Sequence, residues 1–173
     1  YPGSFIMGTT EIGEDCVIGP NTRIEDSIIK DNVEIINSTI LQSSIDSNTN
    51  VGPYAYLRPN SDIGKNVKIG DFVEVKNSKV GDNSKASHLA YVGDGEIGEN
   101  VNIGCGVIFV NYDGVNKNNT IVEDNAFVGW NVNLVDPVTV KKNAYVAAGS
   151  TMTREVPDES VAVARAKQSN IEG

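Results

Sequence analysis

An apolar residue returns at every sixth position along most of this chain. Ile45, Val51, Leu57, Ile63, Ile69 and Val75 keep the interval without a break, and Val122, Val128, Leu134, Val140, Val146 and Met152 keep it again. An amphipathic helix needs spacings of three and four, and a hairpin sheet alternates every two residues between longer turns. A period of six fits neither; it fits a β-solenoid, in which each short strand pairs with the coils before and after it. Four places beyond each apolar residue stands a small or β-branched one, such as Thr49, Ala55, Ser61, Val67 and Val73. Two of every six side chains are therefore expected inside the coil. Glycine follows many of the apolar positions (Gly13, Gly19, Gly52, Gly64, Gly70), which predicts that the strand bends there into a tight turn.

A stacked core of this kind grows with length, so 173 residues make one domain, and a hydrophobic content of 39% is enough for one inward stripe per face. The net charge of −9 argues against sequence-independent nucleic-acid binding, which draws on a clustered basic face. Cys16 and Cys105 are the only cysteines, and both fall at small-residue or turn sites, so a disulfide framework is not expected and a reducing, cytoplasmic compartment is. No apolar run approaches the ~20 residues of a membrane span. The chain has no initiator methionine and opens within a repeat, as a piece cut from something longer would.

Three steps of six close one revolution, so residues about eighteen apart become neighbours on adjacent coils, roughly 4.8 Å away. The five-residue steps from Val75 to Val80 and from Val92 to Ile97 shorten that offset to seventeen. By this arithmetic Arg58 lies over Lys76, Glu74 over Tyr91, and His88 over Cys105. Two stacked cations repel unless an anion lies between them. The register fails between Phe109 and Thr120, where a polar run reads as a loop of about 110–120 thrown out from the coil. It ends again at Val156-Pro157. The expected organisation is a β-helix over 1–156 and a C-terminal tail, 157–173, that caps the stack or reaches a neighbouring subunit.

His88 is the only histidine, and so the only side chain whose ordinary pKa makes it a ready base near neutral pH. The register brings Glu74, Lys76, Arg58 and Tyr91 within one coil of it. Glu74 is expected to orient the imidazole, and Arg58 and Lys76 to hold a phosphate. Gly104-Cys105-Gly106 leaves backbone N–H groups accessible, as an oxyanion site requires. A nucleophilic Cys105–His88 pair is the other reading of those residues. One histidine and two scattered cysteines supply no zinc site.

The stretches Leu57-Arg58-Pro59, Phe72-Val73-Glu74-Val75-Lys76, Lys85-Ala86-Ser87-His88-Leu89, Tyr91-Val92-Gly93-Asp94, Asn102-Ile103-Gly104-Cys105-Gly106, Asn111-Tyr112-Asp113-Gly114, Ala147-Ala148-Gly149-Ser150 and Ala162-Val163-Ala164-Arg165 closely resemble one known family. It is the acetyltransferase half of the bacterial bifunctional N-acetylglucosamine-1-phosphate uridyltransferase/glucosamine-1-phosphate acetyltransferase. The resemblance covers the whole chain, without the family's N-terminal uridyltransferase domain. It implies an all-β, left-handed parallel β-helix of hexapeptide repeats with one protruding loop and a short C-terminal tail. It also implies a homotrimer with active sites between subunits, acting on small molecules. The implied reaction moves acetyl from acetyl-coenzyme A to the amine of glucosamine-1-phosphate, on the way to UDP-N-acetylglucosamine and the cell wall. Carried over by position, His88 is the general base supported by Glu74, and the Cys105 backbone N–H faces the oxyanion. Arg58, Lys76, Tyr91, Asn102 and Lys117 contact the sugar phosphate, while Asn111, Tyr112, Trp130, Ala148 and Arg165 contact acetyl-coenzyme A. No metal is implied in this domain.

Trp130, Val107, Phe109 and Asp136 depart from the family pattern, Trp130 where a small residue is usual. They are expected to cluster on the acyl-donor side and to remodel that pocket into an aromatic-lined cavity. Two further readings stand beside the acetyltransferase: an inactive or redesigned trimeric scaffold that binds a small apolar molecule, and a related hexapeptide-repeat acyltransferase with another amino-sugar acceptor.

Overall fold

A computed structural model, described here for residues 1–171, winds the chain into a left-handed prism of parallel strands. Among the described residues there are twenty-six short strands and no helix. They form three sheets along the prism axis, of nine, eight and nine strands. Each of the first eight coils contributes one strand to each face, and the last contributes to the first and third faces only. One coil, for example, runs from Glu74–Lys76 on the first face through Lys79–Val80 on the second to Lys85–His88 on the third.

The hexad positions make the core. Ile45, Leu57, Ile63, Ile69, Val75 and Leu134 are fully buried, with Thr49, Ser61 and Ser84 filling the narrow corners. Corner hydroxyls do not stay unpaired: Ser61 Oγ donates to the Arg58 carbonyl at 2.7 Å. Tyr56 pairs with Glu74, eighteen residues on, and Glu74 with Tyr91, seventeen on. The register inferred from the sequence is the one observed.

The glycines correct the expectation made for them. The left-handed corner conformation is taken mainly by asparagine and aspartate, as at Asn60 (φ 64), Asn77 (φ 46) and Asn100 (φ 55). These are the non-glycine residues that tolerate it best. At Gly70 and Gly81 the requirement is space. A Cβ on Gly70 would sit 1.9 Å from the Ser87 carbonyl oxygen, and one on Gly81 2.5 Å from that of Gly98.

Between Ile108 and its partner Asn133 the offset stretches to twenty-five residues, and the surplus is the loop. It closes on a Tyr112–Lys117 bridge and on the Asp113 carboxylate, which accepts from the N–H groups of Val115 and Asn116. The tail does not stop the stack at Val156. Val161–Ala162 adds a ninth strand to the third sheet, against Tyr145–Val146.

Candidate functional site

The site residues inferred from the sequence fall along two lines of the prism. One is the edge where the third face turns into the first. The strand pairings of Asp71 with His88, Ala86 with Ile103, Ile103 with Val128, and Val128 with Val146 place Asp71, His88, Cys105, Trp130 and Ala148 at equivalent positions in successive coils. The other line is the far end of the first face, where Arg58 lies over Lys76. The strand Glu74–Lys76, about 10 Å long, runs from beside the first line to the second, which it reaches at Lys76.

His88 is exposed, and its Nδ1 lies 2.6 Å from Asp71 Oδ1. The hydrogen bond to His88 holds the Asp71 carboxyl below the usual carboxylate range. Glu74 is not the support of this imidazole: its Oε1 accepts instead from Arg58 Nη1 at 3.0 Å. The reason is facial. Glu74 belongs to a strand of the first face and His88 to one of the third, so their outward side chains diverge. Asp71 is absent from the residues inferred from the sequence, although its offset of seventeen from His88 is the one that sets Tyr91 over Glu74.

The stacked cations also have carboxylates of their own. Lys76 Nζ donates to both oxygens of Asp94, at 3.1 and 2.9 Å. Asp94, only 5% exposed, also accepts from Asn77 Nδ2 at 2.7 Å and Asn111 Nδ2 at 2.6 Å. Burial pushes its pKa up, but the donors Asn77, Lys76 and Asn111 outweigh that and hold it low. Lys117, on the loop, lies against Lys76, and the two ammonium groups compete, lowering the Lys117 pKa. Three cations thus meet two carboxylates, leaving a net positive patch with an exposed ammonium at its rim. Tyr91 packs beside it, its hydroxyl accepting from Asn111 Nδ2 at 3.4 Å. Gly93 leaves the Tyr91 ring its place here: a Cβ would lie 2.4 Å from the Tyr91 oxygen and push the side chain aside.

Cys105 offers its backbone: its N–H meets no acceptor among the described residues, while its carbonyl accepts from Asn131 N at 2.8 Å. Asn102 stands on the third face between Lys85 and Phe127, apart from the cation cluster. The residues inferred for the acyl donor divide. Trp130, Ala148 and Arg165 gather at one place, where Arg165 Nη1 donates to the Ala148 carbonyl at 2.6 Å and Gly149 N to the Trp130 carbonyl at 2.8 Å. Asn111 is buried at the base of the loop and Tyr112 exposed on it.

Two of the departures turn out to lie elsewhere. Val107 and Phe109 point into the prism and are fully buried, whereas Trp130 is 65% exposed and lies across Gly104 on the outer wall. Phe109 fits because the coil before it carries Gly95, whose Cβ would come 2.6 Å from the ring. An aromatic cavity shared by Trp130 and Phe109 is therefore not formed, and the apolar-scaffold reading loses its pocket. A groove of about 550 Å³ does run along the second face, past Asp62, Lys79 and Glu96, but no inferred site residue lines it. Among the described residues no cluster of histidine, cysteine and carboxylate suits a metal, and no helix could cross a membrane.

Comparison with known proteins sets this geometry in context. The GMPPB C-terminal domain family matches residues 42–161. The chain is 62% identical to the bifunctional protein GlmU of Alkaliphilus metalliredigens over its whole length, and 66% identical to that of Alkaliphilus oremlandii. In each case it spans 38% of the relative's length. Among solved structures, LpxA from Bacteroides fragilis, a UDP-N-acetylglucosamine acyltransferase, superposes with a TM-score of 0.83 at 22% identity, covering 93% of this chain and 69% of that one.

Proposed function

Because the chain belongs to the GMPPB C-terminal domain family and matches GlmU proteins from end to end, we propose that it is an acyltransferase domain that acetylates glucosamine-1-phosphate from acetyl-coenzyme A. The geometric observation that carries this reading is the edge column. The only imidazole of the chain stands exposed there, and directly above it comes an N–H that meets no acceptor among the described residues.

His88 Nε2 accepts a proton from the sugar amine as the amine nitrogen attacks the thioester carbonyl carbon. The carbonyl oxygen becomes an oxyanion that the Cys105 N–H can take up. Collapse of the tetrahedral adduct breaks the C–S bond; the departing thiolate takes the proton back from His88, leaving the amide and free coenzyme A. The thiol of Cys105 takes no part. Lys76, Lys117 and Arg58, with Tyr91, hold the sugar phosphate, and Asn102, apart from them within one subunit, joins them across the subunit boundary. Trp130, Ala148 and Arg165, with Asn111 and Tyr112, hold the donor. No metal enters the reaction, and a cytoplasmic location suits both substrates.

The separation of the cation cluster from His88 across the first face supports a site completed between subunits of a homotrimer. A second feature supports the same assembly. Tyr54, Phe72 and Leu89 form an exposed apolar column along the edge beside His88, with the rings of Tyr54 and Phe72 stacked at 5.6 Å.

A coenzyme A release assay tests the reading. Free thiol should appear only when acetyl-coenzyme A and glucosamine-1-phosphate are both present. His88→Ala should lower turnover by ~10²–10⁴-fold with an unchanged melting temperature. Release indifferent to the sugar phosphate, or full turnover in the variant, would contradict it.

A further inference from the structure

Asp71 and His88 are paired by the backbone as well as by their side chains. Each ends a strand of the third sheet, and they face each other across the parallel ladder after the pairs Lys68–Lys85 and Ile69–Ala86. Beside them Gly70 allows the two strands their closest approach, against the Ser87 carbonyl. The contact is thus set by the ladder and does not depend on two long side chains finding each other.

The chemistry of the contact has one consequence for the ring. An ionised carboxylate has no proton to give and can only accept. At 2.6 Å from Asp71 Oδ1, His88 Nδ1 must therefore carry a hydrogen. In the neutral ring the lone pair is then left on Nε2, the nitrogen away from Asp71. An imidazole free in water prefers the opposite arrangement, with hydrogen on Nε2. The other charged group acting on Asp71 is Lys68, on the same strand, which also favours the ionised carboxylate.

We propose that Asp71 is the positioning residue of the site, holding His88 as the Nδ1–H tautomer so that its Nε2 lone pair faces outward as the proton acceptor. The catalytic half of this statement rests on the acyl-transfer reading above; the tautomeric half does not. In the transfer, Nε2 gains the amine proton and the ring becomes an imidazolium, whose new charge faces the Asp71 carboxylate. The proton never passes to Asp71.

Because the chain has a single histidine, one experiment isolates the ring. Protein labelled with ¹⁵N only in histidine gives one pair of imidazole nitrogens in a long-range ¹H–¹⁵N spectrum at alkaline pH. The wild type should show a pyrrole-type Nδ1 and a pyridine-type Nε2. Asp71→Ala should move both shifts toward the Nε2–H form. In turnover, Asp71→Asn should lose ~10- to 100-fold in kcat with little change in either KM, and Asp71→Glu should recover part of it. An Nε2–H ring in the wild type, an unchanged tautomer in Asp71→Ala, or an unchanged kcat in Asp71→Asn would each overturn the proposal. A wild type that holds the Nδ1–H ring but turns nothing over would instead overturn the acyl-transfer reading, leaving the hold of Asp71 on His88 in place.

Discussion

Among the described residues Asp136 is the least comfortable side chain. One carboxylate oxygen contacts the Thr120 hydroxyl, and the other is buried with no hydrogen-bond partner. Burial, helped by the nearby charge of Asp94, pushes its pKa from 3.8 up to about 7. A raised carboxyl pKa means that the folded state binds the proton more tightly than the unfolded chain does. Stability is thus greatest at low pH on this account, falls as pH climbs from about 4 to about 7, and stays reduced above that. Asp136→Asn removes the penalty. It should raise the melting temperature at pH 8 by a few degrees, about 1–2 kcal/mol after discounting for partial exposure, and change little at pH 4. Thermal melts of both proteins at the two pH values decide it; an equal difference at both would exclude the buried charge as the cause. Nothing in the repeat pattern flags Asp136, because its unpaired oxygen follows from the neighbouring coils and not from its own hexad.

The loop-bearing coil shows what repeat arithmetic conveys and where it stops. The stacking of Arg58 on Lys76 and of Glu74 on Tyr91, and a loop starting near Phe109, were all legible from spacing. Which carboxylate takes which cation was not, since an offset fixes the coil but says nothing of the direction in which a side chain leaves its face. Hence spacing alone offers Glu74 to His88, whereas Asp71 shares the strand position of His88 and Glu74 belongs to Arg58. Trp130 and Phe109 were grouped for the same reason, although one lies outside the wall and the other within. Asp94, unread in the sequence, ties strand to loop by accepting from both Lys76 and Asn111. Asp94→Asn should cost about 2–3 kcal/mol, because donors placed for a carboxylate lose part of their acceptor. Amide exchange should quicken in the loop, residues 112–119, and stay slow in the coils before Leu57. Mass-spectrometric hydrogen exchange reads both, and uniform loosening would refute a local tie.

At the level of the whole molecule, each coil contacts only its neighbours, so stability accumulates coil by coil and the walls are free to present surface. One edge does so at a cost. Tyr54 (φ 58), Phe72 (φ 58) and Leu89 (φ 46) occupy corner positions that elsewhere hold asparagine or glycine. Bulky residues there cost roughly 1–2 kcal/mol each and are left exposed as well. A subunit contact would offset both terms. Sedimentation equilibrium should give a trimer for the wild type, and Phe72→Asp should shift it toward monomer without loss of β circular dichroism. A monomeric wild type would leave the column without a role.

The tight passages at Gly70, Gly81 and Gly104 carry one more implication. A methyl group at any of them would jack apart two layers and tilt everything above. The flat walls are in this sense closed to evolutionary experiment, whereas the edges remain open to it, because a corner side chain leaves the coil outward and does not separate the layers. New specificity in such a molecule is therefore to be sought along its rims, where Phe72, Leu89 and Trp130 already stand.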